Sequence, residues 1–382
     1  MNVFNKNLVT RWWWLSSVFS LGCIVVIAMI WYQVDIHYQP NKHQLLSEDA
    51  AKAHLVEEFN QTSLSNEQNL QYIPTGIYLQ SFKFSSSNDV RITGYIWQRY
   101  LTAKLETTEP KANFIFPEQV GGSSDFELAY QHQVGEHTVL GWYFDVTLRQ
   151  KFSYKNYPLD HKTVWIKLWP AHFDRNIVLL PALNDYHSTA PGDTFGIDTD
   201  IVIGNWEINE TFFDYKLGHY DTSFGFNQAY NEQNYPELSF NLVLKRKFLN
   251  AFVIHLVPLL TVAVLLFASL MSVTAEQVKR ETFGFNFTAI ISIVSALFFV
   301  VMLSHIQLRK QFAEDGIVYI EYFFLLMYFI MISIICNTYF FSRGKEYSSG
   351  WLHAQDHLIP KLIYWPLTLG SMALVTYCHF VG

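Results

Sequence analysis

Seven residues at spacings of three and four make the clearest chemical pattern in the chain. Glu281, Phe285, Thr288, Ser292, Ser295, Phe299 and Met302 fall on one stripe of a helix, and three of them carry small hydroxyls. Such a stripe can offer oxygens to passing water and cations. It can equally pack between membrane helices, where Ser and Thr bond their own backbone. A second set is aromatic: Trp97, Trp169, Tyr215, Tyr220, Phe224 and Tyr230 could box an ammonium group. In a chain that is 17% Phe, Trp and Tyr, many such rings must also serve the core. Asp193, Asp198 and Asp200 in "PGDTFGIDTDI" carry oxygens for Ca²⁺ but lack the Gly and terminal Glu of a Ca²⁺ loop, so they read as a solvated loop. There is no G-x-S-x-G, H-E-x-x-H or phosphate-binding Gly loop, and the 14 histidines show no metal-ligand spacing. No catalytic residue, metal or cofactor is expected, and the chain does not read as an enzyme.

The elements that must position these residues divide sharply. At 382 residues and 50% hydrophobic, the chain is too apolar for a soluble enzyme of its length. Apolar runs at 12–32, 252–271, 285–304, 317–341 and 362–380 are each long enough to cross about 30 Å of hydrocarbon. The first follows Lys6 and Arg11 and reads as an uncleaved signal anchor, with Trp12, Trp13, Trp14, Trp31 and Tyr32 as interface belts. A cleaved signal peptide is the competing reading, against which "MIWYQVDIHYQP" presents bulky residues where a peptidase needs small ones. Lys279, Arg280, Arg343, Lys345 and Lys361 lie on the same side as Lys6 and Arg11, which places the intervening domain outside. The net charge of −7, with no Lys/Arg block, argues against nucleic acid. Cys23, Cys336 and Cys378 all lie in apolar runs, so the outer domain has neither disulfide nor thiol chemistry.

Between the first two spans, Ser47 caps a short amphipathic helix reaching about Asn60, with Glu48 and Asp49 in its first turn. Strand material follows. "GIYLQSFKFS" and "VRITGYIWQRY" flank a turn at Asn88 and Asp89, and "VLGWYFDVTLRQKFS", "KTVWIKLW", "NIVLLP", "IVIGNWEINETFF" and "LSFNLVLKRKF" continue it. Many short strands without intervening helices predict an antiparallel, immunoglobulin-like β-sandwich. Tyr157, Pro158, Leu159 and Asp160 form a tight turn between two of them.

This order of segments resembles the pentameric ligand-gated ion channels, or Cys-loop receptor-like superfamily, over most of the chain after about residue 45. Tyr157-Pro158-Leu159-Asp160 matches the family's aromatic-Pro-x-Asp loop at the membrane end of its sandwich. The flanking cysteines that name the eukaryotic branch are missing, as in bacterial relatives. Arg246 matches the basic residue before the first channel helix, Pro258 its helix-breaking proline, and "GIVYIEYFFLLMYFIMISIICNTYF" its third helix. The resemblance implies a homopentamer in which a small-molecule ligand binds between β-domains, near Trp97, Trp169, Tyr215, Tyr220 and Tyr230. It also implies a pore along 285–304, with Glu281 as a cation-favouring ring, and coupling through Tyr157, Pro158, Asp160 and Arg246. The sequence departs from the family plan in Phe285, which could close the pore by dewetting unless a shifted register turns Asn286 inward instead. It also lacks a proline in "HIQLRKQFAEDG", and its N-terminal anchor has no counterpart.

The expected division is 1–34 cytoplasmic N-terminus and anchor, 35–74 linker with helix, 75–248 β-sandwich, and 249–382 an all-α membrane domain of four helices. The expected setting is the inner (plasma) membrane with the β-domain periplasmic or extracellular, and the expected partners are itself, a small ligand and the bilayer. The alternative is a non-conducting receptor of the same fold that signals to a membrane partner protein.

Overall fold

The computed structural model describes residues 6–36, 38, 43–60, 71–104, 111–123, 126–172, 177–218, 220–221, 235–274, 281, 287–312, 316–343 and 356–382. The chain divides into two units. One comprises 39–152 and 161–246, the other 1–38, 153–160 and 247–382.

The first unit holds the β-structure. Helix α2 (Glu48–Asn60) is capped by Ser47, whose Oγ accepts the Ala50 N–H at 3.1 Å. Nine strands follow: β1 (Gln71–Phe84), β2 (Asp89–Leu101), β3 (Gln119–Gly122), β4 (Glu127–Val134), β5 (His137–Arg149), β6 (His161–Leu168), β7 (Ile177–Pro181), β8 (Trp206–Gly218) and β9 (Tyr235–Arg246). One sheet runs β3-β5-β2-β1-β7, with β4 also on β5, and the other runs β6-β9-β8. The β1–β2 hairpin turns at Asn88 as the sequence requires, but β7 lies parallel to β1, so the larger sheet is mixed rather than antiparallel. Alternation sorts the side chains: along β6, Lys162, Val164, Ile166 and Leu168 are buried while Trp165 and Lys167 point to the other face. Phe213 and Phe240, fully buried with ring centres 4.9 Å apart, occupy the core face with Leu242 and Ile166. Each such side chain contributes roughly 1.5–3 kcal/mol by leaving water.

The second unit is helical. Among the described residues five helices are long and apolar enough to cross a membrane: α1 (Lys6–Ile36), α3 (Phe248–Met271), α4 (Phe287–Gln311), α5 (Glu321–Ser342) and α6 (Leu358–Phe380). The chain is a membrane protein with a β-rich domain. Pro258 has no N–H to give to α3, and the turn before it, Phe252–Leu256, is widened to π geometry. Ile290, Val294, Leu297 and Val301 form the buried seam of α4 at spacings of four and three.

Helix α1 is part of this bundle. Ser20, Cys23, Ile27 and Ile30 repeat at three and four and are its buried face. It runs parallel to α6: Ser16 Oγ donates to the Leu362 carbonyl at 2.7 Å near one end, and Phe19 lies against Gly370 further along. Small residues on both helices allow this approach, as is usual where lipid removes the hydrophobic drive between helices.

Candidate functional site

Three groupings place the residues singled out above. The first is the loop between β5 and β6, which folds with the helices. Its residues 153–160 include the cis Tyr157–Pro158 bond, and Tyr157, Leu159 and Asp160 are buried. The Lys155 carbonyl accepts the Tyr319 N–H at 2.8 Å, and the Tyr157 carbonyl accepts that of Ile320 at 3.3 Å. These two amides belong to the residues just before α5, so the loop holds the chain at the entry to that helix. The Tyr157 ring rests 4.6 Å from Phe312 and 5.8 Å from His255.

Tyr319, fully buried, is a junction. Its hydroxyl accepts the Trp31 indole N–H at 2.8 Å and shares a hydrogen bond with Thr376 Oγ1 at 2.7 Å, joining α1, α6 and the entry of α5. Beside it, Glu321 is buried. One of its oxygens accepts from the Val318 N–H at 2.8 Å and from Arg309 at 3.2 Å. The other lies 3.4 Å from His305 Nε2, within ion-pair distance though not in hydrogen-bonding geometry. Arg246, the other residue of the expected coupling set, closes β9 with its guanidinium 4.1 Å above the Trp206 ring. It belongs to the β unit and Asp160 to the helical unit.

The second grouping is the stripe on α4. Thr288, Ser292, Ser295 and Phe299 are all exposed and lie off the buried seam, so packing within the bundle does not account for them. Ser292 Oγ bonds the Thr288 carbonyl at 2.9 Å, a hydroxyl satisfied by its own helix. Glu281 is exposed as well, while Phe285 and Asn286 lie outside the described residues.

The third lies on the outward face of the β6-β9-β8 sheet. Glu237 on β9 is buried, and one of its oxygens accepts from the Trp169 indole N–H at 2.9 Å and from the Tyr220 hydroxyl. Its other oxygen takes the Lys167 ammonium at 2.9 Å. Glu118 lies 3.5 Å from the same ammonium and is held by the Trp165 indole N–H at 2.9 Å and by Gln150 at 3.2 Å. The Trp169 and Tyr220 rings meet edge to face at 5.4 Å, and Lys216 Nζ sits 4.5 Å over Trp165. Burial works to lower the Lys167 ammonium, but Glu237, through hydrogen bond and charge, and Glu118 hold it above its ordinary 10.5. Burial, followed by the hydrogen bond to Glu237, raises the Tyr220 phenol.

A group raised on folding stabilises fully below its unfolded pKa and loses that contribution as pH climbs through the folded value. Tryptophan fluorescence from this face is therefore expected to hold steady from pH 7 to about 10 and to change only above roughly 10.5. A transition below pH 10 in the wild type, absent from Lys167→Met, would contradict the assignment.

Of the aromatic residues picked from the sequence, Trp169 and Tyr220 therefore come together. Trp97 sits apart on β2, its ring against Gly76, where a Cβ would come within 2.2 Å, and its indole donates to Asp185 at 2.7 Å. Tyr215 is a core residue whose hydroxyl donates to the Leu179 carbonyl at 2.8 Å. Tyr230 and Phe224 lie outside the described residues. Glu118, Trp165, Lys167, Lys216 and Glu237 are absent from the reading of the sequence, although Trp-x-Lys-x-Trp opposite Val164, Ile166 and Leu168 carries the signal of a populated outer face. Among the described residues no group of three or more His, Cys, Asp and Glu side chains is placed to hold a metal.

Comparison with protein-family models and with curated proteins finds no match to this chain.

Proposed function

We propose that this chain is a subunit of a homopentameric, ligand-gated cation channel of the Cys-loop receptor-like kind, its two sheets forming an immunoglobulin-like β-sandwich outside the inner membrane. The observation that carries this reading is the β5–β6 loop. A segment between two strands of the β-domain is buried among the helices, and its carbonyls hold the amides of the two residues that lead into α5. The loop is continuous with β5 and β6 and reaches the link between α4 and α5 through these hydrogen bonds and the Tyr157–Phe312 ring contact. In this reading the ligand sits against Trp169, Tyr220 and Glu237, Asp160 and Arg246 pair to couple the two parts, and Thr288, Ser292, Ser295 and Phe299 line the pore above Glu281.

Cation flux from liposomes holding the purified protein tests this. Glu281→Gln should lower selectivity for cations severalfold, because it removes five charges from one ring in a pentamer. Phe285→Ala should raise flux, and exchanging Asp160 and Arg246 should restore flux lost to either single change. Additive losses in the exchange would remove the pair from the mechanism. Phe285, one turn from Glu281 in the sequence, favours a second reading in which the same fold signals ligand occupancy to a membrane partner without conducting. Silence in every variant, from folded pentamers, would select it.

A further inference from the structure

We propose that Lys167 is a built-in surrogate ligand: its ammonium occupies, in cis, a site shaped for a primary amine between Glu237 and Glu118. This rests on the reading of the outer face of the β6-β9-β8 sheet as the ligand site.

The carboxylates are prepared from the outside. Glu237 has one oxygen fixed by two neutral donors, the Trp169 indole and the Tyr220 hydroxyl, which leaves the other oxygen free to meet a cation. Glu118 is fixed at both oxygens, one by Gln150 and the other, which also faces Lys167, by the Trp165 indole. Two oriented acids therefore converge on one ammonium. A buried carboxylate needs a cation, because its charge is costly to keep out of water unpaired. The exposures are unequal. The Glu237 side chain is 3% exposed and that of Lys167 is 19%, so the acid is sealed while its cation is reached from solvent. The cation is the replaceable member of the pair. An ammonium on a short alkyl chain matches the end of the lysine side chain in charge, donor number and girth. A quaternary ammonium has no N–H to give either carboxylate. Lys216 does not compete for the position, since its ammonium lies over the Trp165 ring.

It follows that the wild-type site discriminates against free amines by filling itself, and that removing the lysine headgroup creates an amine receptor. The test is calorimetric titration of the purified full-length protein with n-propylammonium, using n-propanol and tetramethylammonium as controls. Lys167→Met is expected to bind n-propylammonium at least about tenfold more tightly than wild type, with neither control bound. Adding Glu237→Gln should abolish the gain. Lys167→Gln, whose amide still donates to Glu237, serves where methionine costs the fold, and it should show a smaller gain in the same order. Folded variants that bind n-propylammonium no better than wild type overturn the proposal, as does a gain that survives Glu237→Gln. The readout is independent of conduction. Amine binding by a protein that passes no ions leaves this inference standing and removes the channel, whereas conduction without amine binding in the variants removes this inference alone.

Discussion

Replacing Tyr319 by alanine is expected to destabilise the helical unit by about 3–5 kcal/mol, the range for removing a large, fully buried aromatic side chain. The ring packs against Phe323 at 5.2 Å, His379 at 5.1 Å and Phe380 at 4.7 Å, so its loss leaves a void lined by side chains from two helices. Its hydroxyl accepts the Trp31 indole N–H and bridges to Thr376. Tyr319→Phe keeps the ring and removes only that bridge, so it should cost about 1–2 kcal/mol. Thermal unfolding in detergent, with the two variants side by side, separates packing from hydrogen bonding. Because the backbone amide to Lys155 survives both changes, hydrogen exchange at residue 319 should stay slow while exchange along α1 speeds up. A Tyr319→Ala protein within about 0.5 kcal/mol of wild type would mean that α1 is not held through this residue.

The second large effect is expected at Glu321. Breaking a buried ion pair by deleting one partner costs about 3–5 kcal/mol, but that figure must be reduced here. The Arg309 side chain is 41% exposed and can turn to water once its partner is gone. What remains is the loss of a charge-assisted acceptor for the Val318 N–H and for Arg309, which sets Glu321→Ala at about 2–3 kcal/mol. Glu321→Gln keeps the acceptor and loses the charge, so it should fall at about half of that. Hydrogen exchange at Val318 should quicken in the alanine variant and change little in the glutamine variant. Equal losses in both would show that charge rather than geometry holds the start of α5.

How much of this was legible in the sequence follows from how local each signal is. The five spans needed only apolar length, the Ser47 cap only a hydroxyl before an Ala-rich turn, and the β1–β2 hairpin only a polar cluster between alternating runs. Strand β4 was missed because "ELAYQHQV" alternates only weakly and all eight of its residues are exposed. The parallel β1–β7 pair joins segments about a hundred residues apart, which no periodicity reports. Along β8, residues 211–215 are buried on both faces, so parity could not tell Tyr215, which enters the core, from Asp214, which does not. The outer site shows the same limit. Lys167 and Glu237 come from different strands, and their meeting depends on a register in which Lys167 lies opposite Ser239 on β9. The part of the stripe from Thr288 to Met302 falls within one helix, α4, where spacing alone brings residues to one side.

That stripe bears the central claim, and cysteine accessibility tests it most directly. Cation flux would be followed in liposomes for Ser292→Cys and Ser295→Cys, in a background with Cys23, Cys336 and Cys378 replaced by serine, before and after a charged thiol reagent. Val294→Cys, on the buried seam of α4, is the control. The account predicts that the reagent blocks flux in Ser292→Cys and Ser295→Cys and leaves Val294→Cys unaffected. Flux that persists unchanged in all three variants would contradict it.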